Sequence, residues 1–557
     1  MKKLSFVLAM FFSLVLAICS YAQAPNWDWS RNSRGLNGRS QSYQTAIATD
    51  RSNNIYTTGY FRDSIAIGGD SLYGGSLETA YLLKHDSSGN LIWSRQNLYN
   101  NITDAYFRSV VTDNSGCVYV LGSFNNNPFV IGTDTLINDS VGYSMFLLKY
   151  DSSGNILWAR NSMGSSTDYS LDIDSSGHLY IVGQFYSSVI SFNGTVLVND
   201  TTRGRSCVYI VKYDTSGNVI WAKTSSAGSG YFYSVTAAEN GSVYVTGNFS
   251  SPYLRFGTTV LTNVNPLFAY GDLFLLKYDT SGNLIWANSI NGTYGEMGNK
   301  VIADGLGSVY LTGYFTSDTI NFGAHYLLKD SLVTAANSLF LAKYDSSGYN
   351  LWAKGVHATN CKATSATFDR YKRPCITGSF LNNNTIIGVD TFINPGFFIA
   401  QYDTAGSVLW VKGLETRRIF PNTITTDSYY NICFGGSSTD TVTIGPDTLL
   451  GTGTYYYDIF LGKLTYPASL GISNLIKPEP IKAYPIPTNG ILNISLGVGN
   501  YIALNMYDAT GKKVYSKALD VKTNEFQLNT AGFANGVYII HALRNDGVNY
   551  QRVVIQH

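Results

Sequence analysis

The sequence predicts an all-β chain built as a ring of repeats, a seven-bladed β-propeller of four-stranded blades, with a small β-domain after it. Three observations carry that expectation. Seven of the eight tryptophans, Trp29, Trp93, Trp158, Trp221, Trp286, Trp352 and Trp410, mark one recurring structural position, at successive gaps of 64, 65, 63, 65, 66 and 58 residues. A fixed period of this kind is the signature of stacked supersecondary units. Each unit holds two hairpin phrases, and the pattern stops after Leu464, where a different strand pattern begins.

One phrase runs into each later tryptophan, spelled YLLKHDSSGNLIW, FLLKYDSSGNILW, YIVKYDTSGNVIW or FLAKYDSSGYNLW. Two stretches rich in apolar and aromatic residues flank an Asp-x-x-Gly core. Asp and Ser close local bonds to the backbone and Gly accepts positive φ, so the phrase is a tight hairpin. The other phrase, as in VVTDNSGCVYVLGSF and VIADGLGSVYLTGYF, alternates with period two and reaches a glycine: Gly59, Gly122, Gly183, Gly247, Gly313, Gly378 or Gly435. Two hairpins per unit give four antiparallel strands.

The chain ends predict how the ring closes. The seventh unit has its Gly435 strand and the segment DIFLGKL from Asp458 but no tryptophan strand behind them, while a spare one, NWDWSRN around Trp29, sits at the other end. Pairing the first strand with the last unit closes the ring and protects its edges. A further Ile/Phe-Gly-x-x-x-Leu stretch, as at Phe256-Gly257 and Phe322-Gly323, predicts a short hairpin added to each unit. These units resemble the bacterial β-propeller repeat called SBBP, with its Asp-x-Phe-x-x-Lys strand at Asp272 to Lys277 and Asp458 to Lys463 and its Tyr-Val-Thr-Gly strand at Tyr244 to Gly247. Ala80 and Ser338 depart from the first Asp, and Gln401 from the Lys.

Composition narrows the function classes. Charged residues are 13% and the formal net charge is +1, with no Lys/Arg run, so nothing supplies the electrostatic footprint of a nucleic-acid or anionic-membrane binder. The 42 tyrosines and 54 glycines suit many short strands and polar turns. Lys2-Lys3, an apolar stretch from Leu4 to Ile18 and the small residues up to Ala22 have the form of a signal peptide over 1–22. Cys19 stands in a box like that of a lipoprotein, but with bulky Ile18 before it. Five further cysteines, Cys117, Cys207, Cys361, Cys375 and Cys433, have neither disulfide-framework nor zinc spacing and read as buried small hydrophobes, with a Cys375 to Cys433 bridge as the alternative.

Beyond the propeller, 23–465, a linker rich in Pro and small residues spans 466–480 and a second β-domain spans 481–557. Tyr484-Pro485 and Pro487, Tyr507-Asp508 with Gly511-Lys512, Gly536-Val537-Tyr538 and the terminal strand from Arg552 resemble the C-terminal sorting domain of type IX secretion cargo, with Ile486 where that family usually has Asn. The resemblance implies a small immunoglobulin-like β-sandwich read by the outer-membrane export machinery, and a protein delivered through the periplasm to the outer-membrane surface or the extracellular space.

Antiparallel connectivity puts both tight turns of each unit on one face and the two longer loops on the other, where function is expected. That face offers Tyr99, Tyr106, Phe107, Tyr169, Tyr231, Tyr233, Tyr294, Arg417 and Arg418 as candidate ligand contacts, suited to sugar rings or an extended peptide. Catalytic sets are absent from the pattern: Asp104, Asp168, Glu296 and Glu415 fall in different units, the histidines share no motif, and no spacing suggests a metal or cofactor. The Asp86 to Trp93 phrase is near the Asp-box of sialidases and the tryptophan-docking motif of quinoproteins, but its spacing matches neither. The expected function is that of a secreted or surface-attached binding or adhesion protein, monomeric, with a glycan or protein ligand. A polysaccharide hydrolase or lyase and a structural surface protein are the alternatives.

Overall fold

The computed structural model describes residues 24–97, 104–199, 206–264, 271–329, 336–356, 360–467, 482–496, 501–508, 512–519, 525–544 and 547–557, apart from positions 39, 127, 382 and 454. The expected leader, most of the linker and Tyr99 lie outside the described residues. The chain divides into two compact units, Met1–Pro467 and Ala468–His557.

In the first unit, seven four-stranded antiparallel arrays follow one another, here numbered sheets 1 to 7. Sheet 2 shows the pattern: Ala105–Thr112, Val118–Phe124, Ser144–Tyr150 and Ile156–Met163 pair in that order. The innermost strands are Gln41–Thr49, Ala105–Thr112, Ser166–Ile173, Gly230–Ala237, Glu296–Ala303, Cys361–Phe368 and Ile419–Thr426. Each contacts the next and the last contacts the first, so the sheets form a closed propeller around a channel. Sheet 7 takes its outermost strand from the other end of the chain: Asn26–Asn32 pairs antiparallel with Tyr457–Thr465, as the spare tryptophan strand predicts. The Ile/Phe-Gly stretches form short hairpins, such as Phe129–Ile131 with Asp134–Leu136.

Alternation explains why the middle strands read as continuous apolar runs. In sheet 2, Val118, Val120, Phe146 and Leu148 pack toward sheet 1, while Tyr119, Leu121, Met145 and Leu147 pack toward sheet 3. Both faces of every sheet are therefore core, and at about 25 cal/mol per Å² of buried apolar surface this packing is the main stabilising term.

The tryptophans hold neighbouring sheets together. The Asp151 carboxylate accepts the Ser153 and Asn155 amides at 2.9 and 2.8 Å and the Asn155 side chain at 2.8 Å, and those Asn155 bonds hold its carboxyl below the usual value. Fixed in this way, the turn presents the Ser152 carbonyl to sheet 1, where Trp93 Nε1 donates to it at 3.3 Å and Lys84 Nζ at 2.8 Å. The same pair of donors meets Thr215 (Trp158, Lys149), Thr280 (Trp221, Lys212), Ser346 (Trp286, Lys277) and Thr404 (Trp352, Lys343). Gly282 shows why the turn needs glycine: its φ is +80°, and a Cβ there would lie 2.8 Å from the Trp221 ring.

The junction from sheet 6 to sheet 7 departs from this rule for a topological reason. The third and fourth strands of sheet 7 come from opposite chain ends, so no turn joins them and no carbonyl awaits a donor. Gln401 replaces the lysine there, and its Oε1 accepts Trp410 Nε1 at 2.6 Å and the Tyr466 hydroxyl at 3.1 Å.

One expectation and one alternative are corrected. Phe107 is fully buried against Phe146, with ring centroids 5.5 Å apart, because it alternates with the half-exposed Tyr106; it is core, not a surface contact. The bridge between Cys375 and Cys433 does not form: both are free and buried in different packing clusters, Cys375 with Phe397 and Phe434, Cys433 with Trp29 and Ile55.

The second unit is a two-sheet β-sandwich. Lys482–Tyr484, Ile491–Ser495 and Glu525–Asn529 form one sheet, and Lys513–Ala518, Tyr501–Tyr507, Gly536–Arg544 and Gly547–Ile555 the other. Leu492, Ile494, Leu504, Met506, Leu528, Ile540, Val553 and Ile555 fill the space between them.

Candidate functional site

Each innermost strand begins on the long-loop face and carries a β-bulge midway along its length. The extra residues are Thr45, Arg108, Tyr169, Tyr233, Asn299, Thr364 and Asn422. A bulge leaves one residue out of the ladder and re-aims it, and all seven line the channel, a cavity of about 480 Å³.

Four of the seven are structural locks. Thr45 Oγ1 donates to the Phe107 carbonyl at 2.6 Å, Asn299 Nδ2 to Ala363 at 2.6 Å, Thr364 Oγ1 to Pro421 at 2.9 Å and Asn422 Nδ2 to Gln44 at 3.1 Å. In each, the side chain satisfies a carbonyl of the next innermost strand. Arg108, Tyr169 and Tyr233, in the consecutive sheets 2, 3 and 4, make no such bond. Arg108 lies over the Tyr106 ring, 4.9 Å from its centroid, with Nε buried and unpartnered. Tyr169 and Tyr233 meet edge to face at 5.4 Å, and Tyr231 stacks on Tyr233 at 6.1 Å.

A second series of rings crosses the long-loop face from sheet 7 to sheet 2. Phe420 packs on Tyr457 at 5.7 Å, Tyr457 on Tyr43 at 5.1 Å, Tyr43 on Tyr60 at 5.1 Å, Tyr60 on Tyr106 at 4.7 Å and Tyr106 on Tyr143 at 5.6 Å. All six are half-buried, so each presents part of its ring to solvent while its neighbours hold it in place. Burial raises the Tyr43, Tyr60 and Tyr106 hydroxyls above their ordinary value and keeps them protonated donors.

Charged groups accompany the rings. Glu78 is buried and ion-paired with Arg62, and its amide donates to Asp104 Oδ1 at 2.9 Å. Burial raises the Glu78 carboxyl, and its bond with Asp104 adds to the rise. Asp168 is fully buried and bonded to the Tyr209 hydroxyl; desolvation pushes it up to about 7. Glu296, bonded to Ser317, is pushed up to about 8 by burial, and Asp272 to about 6. Exposed Glu415 accepts from the Ile393 and Asn394 amides and ties down a loop. The four carboxylates singled out in the sequence thus occupy four separate environments. Tyr294 is half-buried with its amide bonded to Ser317, Arg418 pairs with Asp440 at 3.0 Å, and Arg417 is exposed. Among the described residues, no group of three or more His, Cys, Asp or Glu side chains is placed to hold a metal ion.

Tyr60 escapes sequence reasoning because it sits inside a repeated phrase and reads as a strand residue, and Tyr43, Tyr143 and Tyr457 because each stands just ahead of one. Period two carried one usable signal, since of the adjacent pairs Tyr106-Phe107 and Tyr231-Phe232 only one member can leave the core, and the hydroxyl marks which.

Residues 482–556 match the family model described as the secretion system C-terminal sorting domain. The chain carries a type IX sorting signal. It is addressed to the cell surface or extracellular space, and no helix among the described residues is long and apolar enough to cross a membrane. The chain is also 27% identical over 341 residues to an uncharacterized WD repeat-containing protein of Acanthamoeba polyphaga mimivirus; the match takes in 50% of this chain and 24% of that protein's length. Among solved structures, the Neurospora crassa Pan2 WD40 domain aligns at TM-score 0.41 and 8% identity, covering 81% of this chain and 100% of that one. A protein of unknown function from Dyadobacter fermentans aligns at TM-score 0.35 and 8% identity, covering 80% and 100%.

Proposed function

We propose that the exported propeller is a non-enzymatic binding or adhesion protein, monomeric, that takes a glycan or protein ligand on its long-loop face. The resemblance of its repeats to SBBP units, and the reading of 23–465 as the propeller and 481–557 as the address, belong to the same proposal. The observation that carries it is the set of half-buried tyrosines beside the channel, including Tyr106, Tyr169, Tyr231 and Tyr233. Rings already held by edge and face contacts lose little entropy when a ligand stacks on them, and each adds a hydroxyl donor.

A second reading rests on Glu78. A buried carboxyl with raised pKa, next to Asp104 and Arg62, has the environment of a general acid for a polysaccharide lyase or hydrolase. One experiment separates the readings. The intact protein is incubated with a panel of polysaccharides and matrix proteins, and binding and released products are recorded together. Saturable binding without products, lost on Tyr106→Ala with Tyr231→Ala, is the expected result. Product release abolished by Glu78→Gln would replace the binding reading with the enzyme, and no binding to any probe would leave a structural surface protein.

A further inference from the structure

The channel contains more positive charge than its fold requires. Of the charged side chains lining it, Arg108 and Lys300 are cationic and Asp172 is anionic. Asp172 is committed: its carboxylate accepts the Ala237 amide at 2.8 Å and the Ile173 amide at 2.9 Å. Among the described residues, Arg108 and Lys300 have no hydrogen-bonding or ion-pairing partner, and Arg108 Nε is buried as well as unpaired. An unsatisfied buried donor of this kind destabilises the fold, more so when it is charged. Burial lowers the Lys300 ammonium from its ordinary value, and the Asp172 charge opposes that shift in part. The carboxyl that neighbours Arg108, Asp168, is raised to about 7 and engaged by Tyr209, so it offsets the guanidinium only in part.

We propose that the ligand of this mouth is an acidic glycan, a uronate-bearing oligosaccharide whose carboxylate is held by Arg108 while the rings of Tyr106, Tyr169 and Tyr233 receive its sugar faces. This rests on the reading of the long-loop mouth as a binding site. The guanidinium fork matches a carboxylate with two parallel bonds, and the buried, unpaired Nε leaves the charge of this group uncompensated by the fold. Lys300, on sheet 5, supplies a second cation for a neighbouring uronate. A sugar suits the site better than a protein loop does, because the channel wall is threonine, serine and asparagine rather than the apolar pocket a hot-spot side chain fills. The cavity of about 480 Å³ runs from the bulges toward the tight-turn ends of the strands, so Arg108, Tyr169 and Tyr233 stand at its long-loop end, where the sugar would enter.

The test is calorimetric titration of the intact protein with tetragalacturonate, cellotetraose and a sulfated cellotetraose. Tetragalacturonate should bind about tenfold or more tighter than cellotetraose, the worth of one bidentate charge-assisted contact. Arg108→Gln should remove that advantage; Lys300→Met should weaken tetragalacturonate less. Exposed Lys223→Gln, on the outer strand of sheet 4's neighbour, sheet 3, controls for loss of one charge. Should Arg108→Gln fail to fold, Arg108→Lys keeps the charge and removes the fork, and undiminished uronate binding there overturns the proposal. Preference for the sulfated probe overturns it too. Cellotetraose or protein binding that ignores Arg108 sinks the acidic ligand but leaves the binding protein standing, whereas no binding to any probe sinks both.

Discussion

The outer girdle of the propeller and the inner ring around its channel are built from the same repeat, yet they treat it differently. On the girdle, a tryptophan and a lysine dock on the next sheet's turn at five junctions, and the departure at Gln401 follows from the missing turn in sheet 7. Around the channel, the bulge residue locks onto its neighbour in four sheets and is released in three consecutive ones. At those five junctions and four locks the repeating positions are satisfied internally. Arg108, Tyr169 and Tyr233 break the repeat with no topological cause, and the proposed binding site is built on them.

Breaking the girdle should have the largest effect. Trp158→Ala removes a ring packed on Gly217 and a bond to Thr215, and should destabilise the propeller by about 2–4 kcal/mol, with ligand affinity per folded molecule unchanged. Denaturant unfolding and titration on the same samples check both halves. An inner lock comes next: Asn422→Ala strands the Gln44 carbonyl and should cost about 1–3 kcal/mol, again without touching binding. Arg108→Thr sharpens the contrast, because it installs at sheet 2 the residue that locks sheet 1. Its stability should change by about 1 kcal/mol or less, in the stabilising direction, while uronate binding is lost.

The smallest expected effect is a pH slope. Asp168 holds its proton in the fold to about 7, far above its value in an unfolded chain, so the native state binds the extra proton and stability falls as pH rises through that range. Between about pH 6.5 and 7.5 the folded state gives up roughly half a proton at this site, a loss of about 0.7 kcal/mol that Asp168→Asn should erase. Glu296 and Asp272, raised to about 8 and about 6, slope the same way and should persist in that variant.

The girdle was legible in the sequence and the inner ring was not. Tryptophan spacing, Asp-x-x-Gly turns and the spare strand around Trp29 are local signals that a repeat multiplies. A bulge is a skip in pairing, and nothing in the spelling of SYQTAIAT or AYFRSVVT says that Thr45 or Arg108 is the residue left out. Tyr106, Tyr169, Tyr231 and Tyr233 stand in variable loops or at strand starts and are legible there, whereas Tyr60 is hidden by belonging to the repeat. The conflict between the lysine pattern and Gln401 was visible from the start, and only the absent turn explains it.

The pairing of Asn26–Asn32 with Tyr457–Thr465 also sets an order of events. The first strand of the ring to be made is the last to find its partner, because that partner is the final strand of the ring. Until residue 465 exists, the nascent protein is an open row of sheets with one unmatched edge at each end, so completion of the propeller is timed by the arrival of its last strand, just ahead of the sorting domain.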